Sequence, residues 1–326
     1  MMRRIVESGA ALARKILSES ARKRIGLISD KVDLLSKRCI EGRIGYRHYK
    51  ILNASDGNDW IAERLKSGEP AAIGKLGAWE TEALSRFLRH RGGVKKLDDN
   101  GKPYLRETDG VFPPTVDVFN KFCLVFLEAV KSLDFVAVWY NHGESSIVKK
   151  YTNNATLSEL YSLDPYYHRN PWSRYLENKR VLLCHPFEAS IRRQFLYRDK
   201  IWQDKRVLPD FELDTIRVPW PEGLVPTGFK DWFAVLENLK GKMSEKEFDV
   251  AIVGAGQYSI PLVAHAKSRG KFAIHLGGAT QILFGIKGKR WEELGITSKF
   301  YNNYWCRPTQ EETPPNTKVF DGGCYW

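Results

Sequence analysis

From about residue 68 the chain is organised as short apolar runs, each followed by an amphipathic stretch. Residues 70–76 (PAAIGKL) are apolar or small almost throughout and predict a buried strand, with a helix over 79–90. Residues 135–139 (FVAVW) predict a second strand with a helix over 144–151, and 180–184 (RVLLC) a third with a helix over 188–197. Residues 212–218 predict a fourth strand, closed by Pro219 and Pro221, and 229–239 an amphipathic helix. The series ends with a strand at 249–253 (DVAIV), a helix over 260–268 and a last strand at 271–276. Apolar strands alternating with helices predict an α/β fold, a mainly parallel Rossmann-like sheet with helices on both faces. Residues 92–114, rich in Gly, Asp, Lys and Pro, predict a loop insertion. The predicted organisation is a basic helical extension over residues 1–55, an α/β domain over 56–300 and an irregular aromatic, Pro- and Gly-rich tail over 301–326 packed on it.

Composition narrows the classes. The chain has 326 residues, 43% apolar and 28% charged, enough to bury a sizeable core. Its 16 Phe, 14 Tyr and 10 Trp exclude a disordered polypeptide. No stretch approaches the roughly 18 apolar residues of a membrane span. The first twenty residues lack a signal peptide's apolar centre, because Glu7, Arg14 and Lys15 interrupt it. Five scattered cysteines (Cys39, Cys123, Cys184, Cys306, Cys324) make no disulfide framework and predict a reducing, cytoplasmic setting.

The net charge is +12, and the first fifty residues, with 13 Lys and Arg against 5 Asp and Glu, supply +8 of it. Ile5, Leu12 and Ile16 fall at helical spacing among Arg3, Arg4, Arg14, Lys15, Arg22, Lys23 and Arg24. That pattern predicts a basic amphipathic helix, which either packs on the main domain or makes a peripheral contact with the inner face of an anionic membrane. Zinc-finger spacing, RNP-like aromatic motifs and a helix-turn-helix pattern are all lacking, so nucleic acid is not an expected partner.

In a parallel sheet, ligands bind beyond the carboxyl ends of the strands, where strand order reverses. The predicted strand ends carry Lys75, Gly77 and Glu80, then His142 and Glu144, His185 and Glu188, Gly254, Gly256 and Gln257, and His275 and Gly277. Small, polar and ionisable residues thus converge on one edge from five segments. Gly254-Ala255-Gly256-Gln257 between a strand and a helix has the context of a phosphate-binding turn, or of a tight turn whose glycines serve packing. Ser259 stands at its third glycine position, and Ile274-His275 stands where a dinucleotide fold places a ribose-binding acid, so NAD is disfavoured. Gly285 to Trp291 interleaves glycines with Lys287, Lys289 and Arg290, a basic loop suited to a diphosphate or a solvated turn. His142 with Glu144, or His185 with Glu188, would supply a general base, Arg192 lying near the second pair; His275 would bond a phosphate or ribose. Each histidine also fits a structural role at a strand end.

The segments IGKLGAWE (residues 73–80) and GAGQYSIPL…HLGGATQILFGIKGKRW (254–291) resemble bacterial and viral polysaccharide-biosynthesis glycosyltransferases of the GT-D type. The resemblance covers roughly residues 60–300. It implies a single nucleotide-sugar-binding domain that moves a sugar from a nucleoside-diphosphate donor to a polysaccharide or lipid-linked acceptor. It also implies Mg²⁺ or Mn²⁺ held on the donor diphosphate by an Asp-X-Glu motif. Here the Glu falls on Glu80, but Ala78 stands at the Asp position. Either Glu82 or a strand-end residue completes a metal site, or Lys287, Lys289 and Arg290 supply the charge without a metal. Two other readings of the same residues are a non-catalytic module binding a nucleotide or glycan precursor, and a methyltransferase or dehydrogenase.

Overall fold

The computed structural model describes residues 36–326 apart from 37, 100–101, 104, 106–109 and 296. The basic helix expected around residues 3–24 lies outside the described residues. Eight strands form one wholly parallel sheet: β1 (Ile51–Leu52), β2 (Ala71–Gly74), β3 (Phe135–Val138), β4 (Thr156–Glu159), β5 (Arg180–His185), β6 (Glu212–Arg217), β7 (Val250–Val253) and β8 (Phe272–His275). Their order across the sheet is β1-β4-β3-β2-β8-β7-β5-β6. The register aligns Phe272 of β8 with Ala71 on one side and Val250 on the other.

The inner strands are buried on both faces, which is why they read as unbroken apolar runs. Their alternate residues still separate into two cores, as strand geometry requires. Ala72, Val136, Leu182, Ala251 and Ala273 point to one face, and Ala71, Phe135, Leu183, Ile252 and Ile274 to the other.

The helices are α1 (Ala54–Ser67), α2 (Ala78–Arg89), α3 (Val116–Val130), α4 (Glu144–Tyr151), α5 (Glu188–Phe195), α6 (Arg198–Ile201), α7 (Trp232–Ser244), α8 (Ser259–Ser268), α9 (Ala279–Leu283) and α10 (Lys289–Leu294). Helices α2, α3, α4, α7 and α8 cover the first face through Leu84 and Phe87, Phe119 and Phe122, Ile147, Leu236, and Leu262. Helices α1, α5 and α9 cover the second through Ile61 and Leu65, Ile191, and Ile282 and Leu283. Three of these helices start at side chains that accept a backbone N–H: Asn53 from Asp56 at 2.9 Å, Thr115 from Val118 at 3.3 Å and Asp231 from Ala234 at 2.8 Å.

Every strand expected from the sequence is present, within one or two residues of its predicted ends. The segment assigned to the extension also contributes β1, an edge strand paired with β4. Strands β1 and β4 and helices α1 and α3 are additions to the sequence reading. A short antiparallel hairpin, Asp98–Asp99 with Lys102–Pro103, lies inside the expected loop insertion. The tail is irregular, as its prolines and glycines predict, and it packs back on the domain: Trp305 is buried, with its indole donating to the Ile201 carbonyl at 3.2 Å. Among the described residues no helix is long and apolar enough to cross a membrane.

Candidate functional site

Adjacent strands β2 and β8 send their following helices to opposite faces, α2 to the first core and α9 to the second. The ends of β2 and β8 are therefore a topological switch point, the position where open α/β sheets place ligands. Lys75 follows β2 and Gly277 follows β8 across it; a Cβ on Gly277 would stand 3.6 Å from the Lys75 ammonium.

Lys75 is part-buried, with Nζ 5.1 Å from the centroid of the Trp139 ring beyond β3. Among the described residues its ammonium has no hydrogen bond and no ion pair at contact distance. Burial lowers its pKa; Arg290 lowers it further, while Asp164 and Glu80 oppose the shift. A cation with three donors, desolvated beside a second cation, is an arrangement that an anion would relieve. Asp164, in the turn after β4, did not stand out in the sequence. Its carboxyl is pushed up to about 6 by burial, against the pull of Lys75 and a hydrogen bond from Tyr166. Only the fold places Asp164 near Lys75, 89 positions away in sequence, so no local motif signals it.

The two strand-end histidines differ in tautomer. His275 Nδ1 bonds the Val253 carbonyl at 3.2 Å and so carries the proton, leaving Nε2 as the acceptor. His185 Nδ1 accepts from the Phe187 N–H at 2.9 Å, so its proton sits on Nε2 and its basic nitrogen is already engaged. Burial holds both rings down at about 3, with the Lys75 charge contributing at His275. Both are neutral at physiological pH, and neither has the basicity to take a hydroxyl proton there.

The other proposed bases have structural duties. Glu144 is fully enclosed, its carboxylate accepting from the Trp139 and Asn141 N–H groups, and burial pushes it up to about 8. It fastens the turn between β3 and α4. His142 is 70% exposed, its Nδ1 3.9 Å from Glu41. Burial would raise Glu188, but hydrogen bonds from Thr215 and Arg192 outweigh it and hold the carboxyl low. Arg192 is in turn engaged by Glu188 at 2.8 Å, Thr215 at 2.7 Å and Asp214 at 3.5 Å.

The glycine turn is also more internal than its sequence suggests. The Gly254 N–H bonds the Cys184 carbonyl and the Ala255 N–H bonds Ser259 Oγ, each at 2.9 Å. Pro261 removes another donor from the first turn of α8. Gly254 serves packing, since a Cβ there would lie 2.5 Å from His185 Cδ2, 2.9 Å from Thr280 Oγ1 and 3.0 Å from the Gly277 carbonyl oxygen. Gly256 has open space but φ of +53°, and the Gln257 amide packs against Gly110. Gly254→Ala is expected to cost about 1–3 kcal/mol by overpacking three strand ends. A denaturant melt coinciding with wild type would show that the loops yield.

In the basic loop the three cations part company. Lys287 lies over the Tyr301 ring at 5.3 Å, and Lys289 is 3.8 Å from Glu293. Arg290 is the one that faces Lys75, its guanidinium stacked on Tyr325 at 4.9 Å. The tail fixes this loop: the Lys289 N–H bonds the Trp326 carbonyl at 3.1 Å and the Arg290 N–H bonds that of Cys324 at 2.9 Å. Gln281 adds bonds to the Lys287 and Tyr325 carbonyls at 2.9 and 2.7 Å.

The donor set does not suit a divalent metal. Ala78 offers no side-chain oxygen, Glu80 folds back towards Gly77 at the start of α2, and the Lys75 ammonium is the charge facing Glu80 and Asp164. Among the described residues no three His, Cys, Asp or Glu side chains converge as a metal would need.

No family model matches the chain, and no curated protein matches it. Among solved structures, one of a domain of unknown function 1792, said to have a distinct glycosyltransferase fold, is 13% identical with a TM-score of 0.44; the match covers 85% of this chain and 95% of that one. A second, described as a new glycosyltransferase (DUF1792) from Streptococcus sanguinis, is 10% identical with a TM-score of 0.43, covering 81% and 96%. A selenomethionine structure of the same domain of unknown function is 13% identical with a TM-score of 0.44, covering 81% and 92%.

Proposed function

We propose that this chain is a glycosyltransferase that takes a sugar from a nucleoside-diphosphate donor, with the diphosphate at the switch point between β2 and β8. The observation that carries the reading is the Lys75 ammonium, desolvated over the Trp139 ring, with no hydrogen bond or ion pair among the described residues and with the Arg290 charge opposing its own. Two cations at a topological switch point suit the charge that collects on a departing diphosphate. The likeness of residues 73–80 and 254–291 to GT-D-type sequences supports sugar transfer among diphosphate chemistries. Trp139 and Trp291 border the site and offer faces for a sugar or base. Lys75 and Arg290 stand in for a divalent cation in this reading. The acceptor is a glycan or lipid-linked glycan, and the basic first fifty residues would bring the enzyme to an anionic membrane face where such acceptors lie. The internally bonded turn at Gly254 counts against a dinucleotide or S-adenosylmethionine enzyme, whose cofactor needs that backbone.

The test is thermal denaturation of the full chain with UDP, GDP, CMP, NAD and S-adenosylmethionine, each with Mg²⁺ or with EDTA. UDP or GDP at about 100 times its Kd is expected to add about 2.7 kcal/mol, equally in both conditions. A shift with NAD or S-adenosylmethionine alone would overturn the reading, and a shift dependent on Mg²⁺ would overturn its metal-free form.

A further inference from the structure

Lys75 shares its place with a second polar group. A Cβ on Gly277 would stand 3.6 Å from the Lys75 ammonium and 3.3 Å from Cε1 of His275, so the cation and the edge of the imidazole border one small space that a glycine keeps clear. The His275 ring ends β8 and is 8% exposed. Its orientation is set from behind, where Nδ1–H donates to the Val253 carbonyl at 3.2 Å. That carbonyl already accepts the Leu276 N–H at 3.1 Å and the Gly277 N–H at 3.3 Å, one for each lone pair. The third bond therefore adds little for the carbonyl and much for the ring. It fixes the tautomer and leaves Nε2 an unprotonated acceptor with no hydrogen bond among the described residues. His185 is the contrast, since the Phe187 N–H consumes its acceptor nitrogen at 2.9 Å.

We infer that His275 reads a hydroxyl of the nucleotide-sugar donor, its Nε2 accepting the O–H while Lys75 beside it takes the phosphate. The inference rests on the transferase reading above and adds the group recognised next to the diphosphate. A phosphate oxygen without a proton has nothing to donate to Nε2, so the tautomer selects a hydroxyl and turns a phosphate away. A base N–H would also suit an acceptor, but it lies across the ribose from the phosphates, whereas ribose and sugar hydroxyls adjoin them. Both rings carry the same chemistry. A ligand lacking the hydroxyl would cover this acceptor without a partner, which is how a mostly buried polar group discriminates.

The experiment titrates the full chain with inorganic pyrophosphate, UDP, GDP, the 2′- and 3′-deoxy forms of UDP, UDP-glucose and GDP-mannose, and records melting temperatures alongside. His275→Phe keeps a flat ring and removes the acceptor, and the Val253 carbonyl retains its two backbone donors, so the melting temperature is expected to stay close to wild type. The variant is expected to bind pyrophosphate within about twofold of wild type and to lose about 10-fold in affinity wherever the hydroxyl is present. With a ribose hydroxyl, UDP and GDP show the loss, and one deoxy form, already weaker on wild type, loses nothing more. With a hydroxyl of the transferred sugar, UDP and GDP are unchanged and UDP-glucose or GDP-mannose alone weakens. His275→Gln, whose amide oxygen reaches near the Nε2 position, is expected to recover part of the affinity. His275→Phe binding every ligand like wild type overturns the inference while the transferase reading stands. So does an equal loss for pyrophosphate and UDP, which makes the ring structural, or for UDP and both its deoxy forms, which makes the contact a base. Wild type that binds neither the diphosphates nor the sugar nucleotides overturns the transferase reading, and the inference with it.

Discussion

Lys75→Met is expected to weaken UDP or GDP affinity roughly 10- to 100-fold, the equivalent of one charged hydrogen bond of about 1.5–3 kcal/mol. The same substitution is expected to raise the melting temperature. The ammonium is desolvated, has no hydrogen bond or ion pair among the described residues and feels the Arg290 charge, so the folded state disfavours its charged form. Methionine has a similar reach, keeps contact with Trp139 and removes that conflict. Stability and binding moving in opposite directions is the signature of a group retained for a ligand. Calorimetric titration and a thermal melt of one variant read both. A Lys75→Met protein that binds diphosphate like wild type would remove the site from this switch point, and one that is less stable would make Lys75 a structural residue.

Glu312→Ala is expected to cost about 3 kcal/mol and to weaken diphosphate binding at a distance. Glu312 is 2% exposed. Its carboxylate receives the Ala189 and Ser190 N–H groups at the start of α5, the Ser190 hydroxyl and, at 3.3 Å, the Thr309 hydroxyl. Alanine would leave those donors unpaired in a dry contact and free one end of the tail. The other end reaches the site: Trp326 packs on Phe187 and Trp220, donates its indole N–H to the Glu312 carbonyl at 2.7 Å and offers its own carbonyl to Lys289. Loosening the tail therefore loosens Arg290. Chemical denaturation and diphosphate titration of Glu312→Ala check the two effects separately. Lost stability with unchanged affinity would show that the loop holds Arg290 without the tail.

The inner sheet was legible because its strands are short apolar runs closed by small or polar residues, and burial on both faces leaves no other reading of such runs. The edges were not. Strand β4 (TLSE) is polar and four residues long, and β1 has two residues; both exist through pairing with neighbours, which no local pattern encodes. Helix α3 did carry a signal, with Phe119, Phe122, Cys123, Phe126 and Val130 at helical spacing. Residue type marks the carboxyl edge of the sheet but does not tell how each side chain there is engaged. Glu144 and Glu188 look like free acids in sequence, whereas backbone N–H groups, Thr215 and Arg192 engage them in the fold. Asp164 lies in YSLDPYY, which reads as an ordinary turn before proline, and gains its setting only from β2 two strands away.

Two helix starts on the strand-end edge are closed by acids from outside the sheet: α4 by Glu41 and α5 by Glu312. In many nucleotide folds such starts receive the phosphates themselves. A cradle of backbone N–H groups is nearly indifferent to mutation, because every residue but proline brings the same donor. In the proposed reading the anion is left to Lys75 and Arg290, two side chains each set by a single codon. Ligand preference in this architecture is therefore separable from foldability: one base change can erase or shift the charge it recognises while the sheet, both cores and the clasped ends of the chain persist.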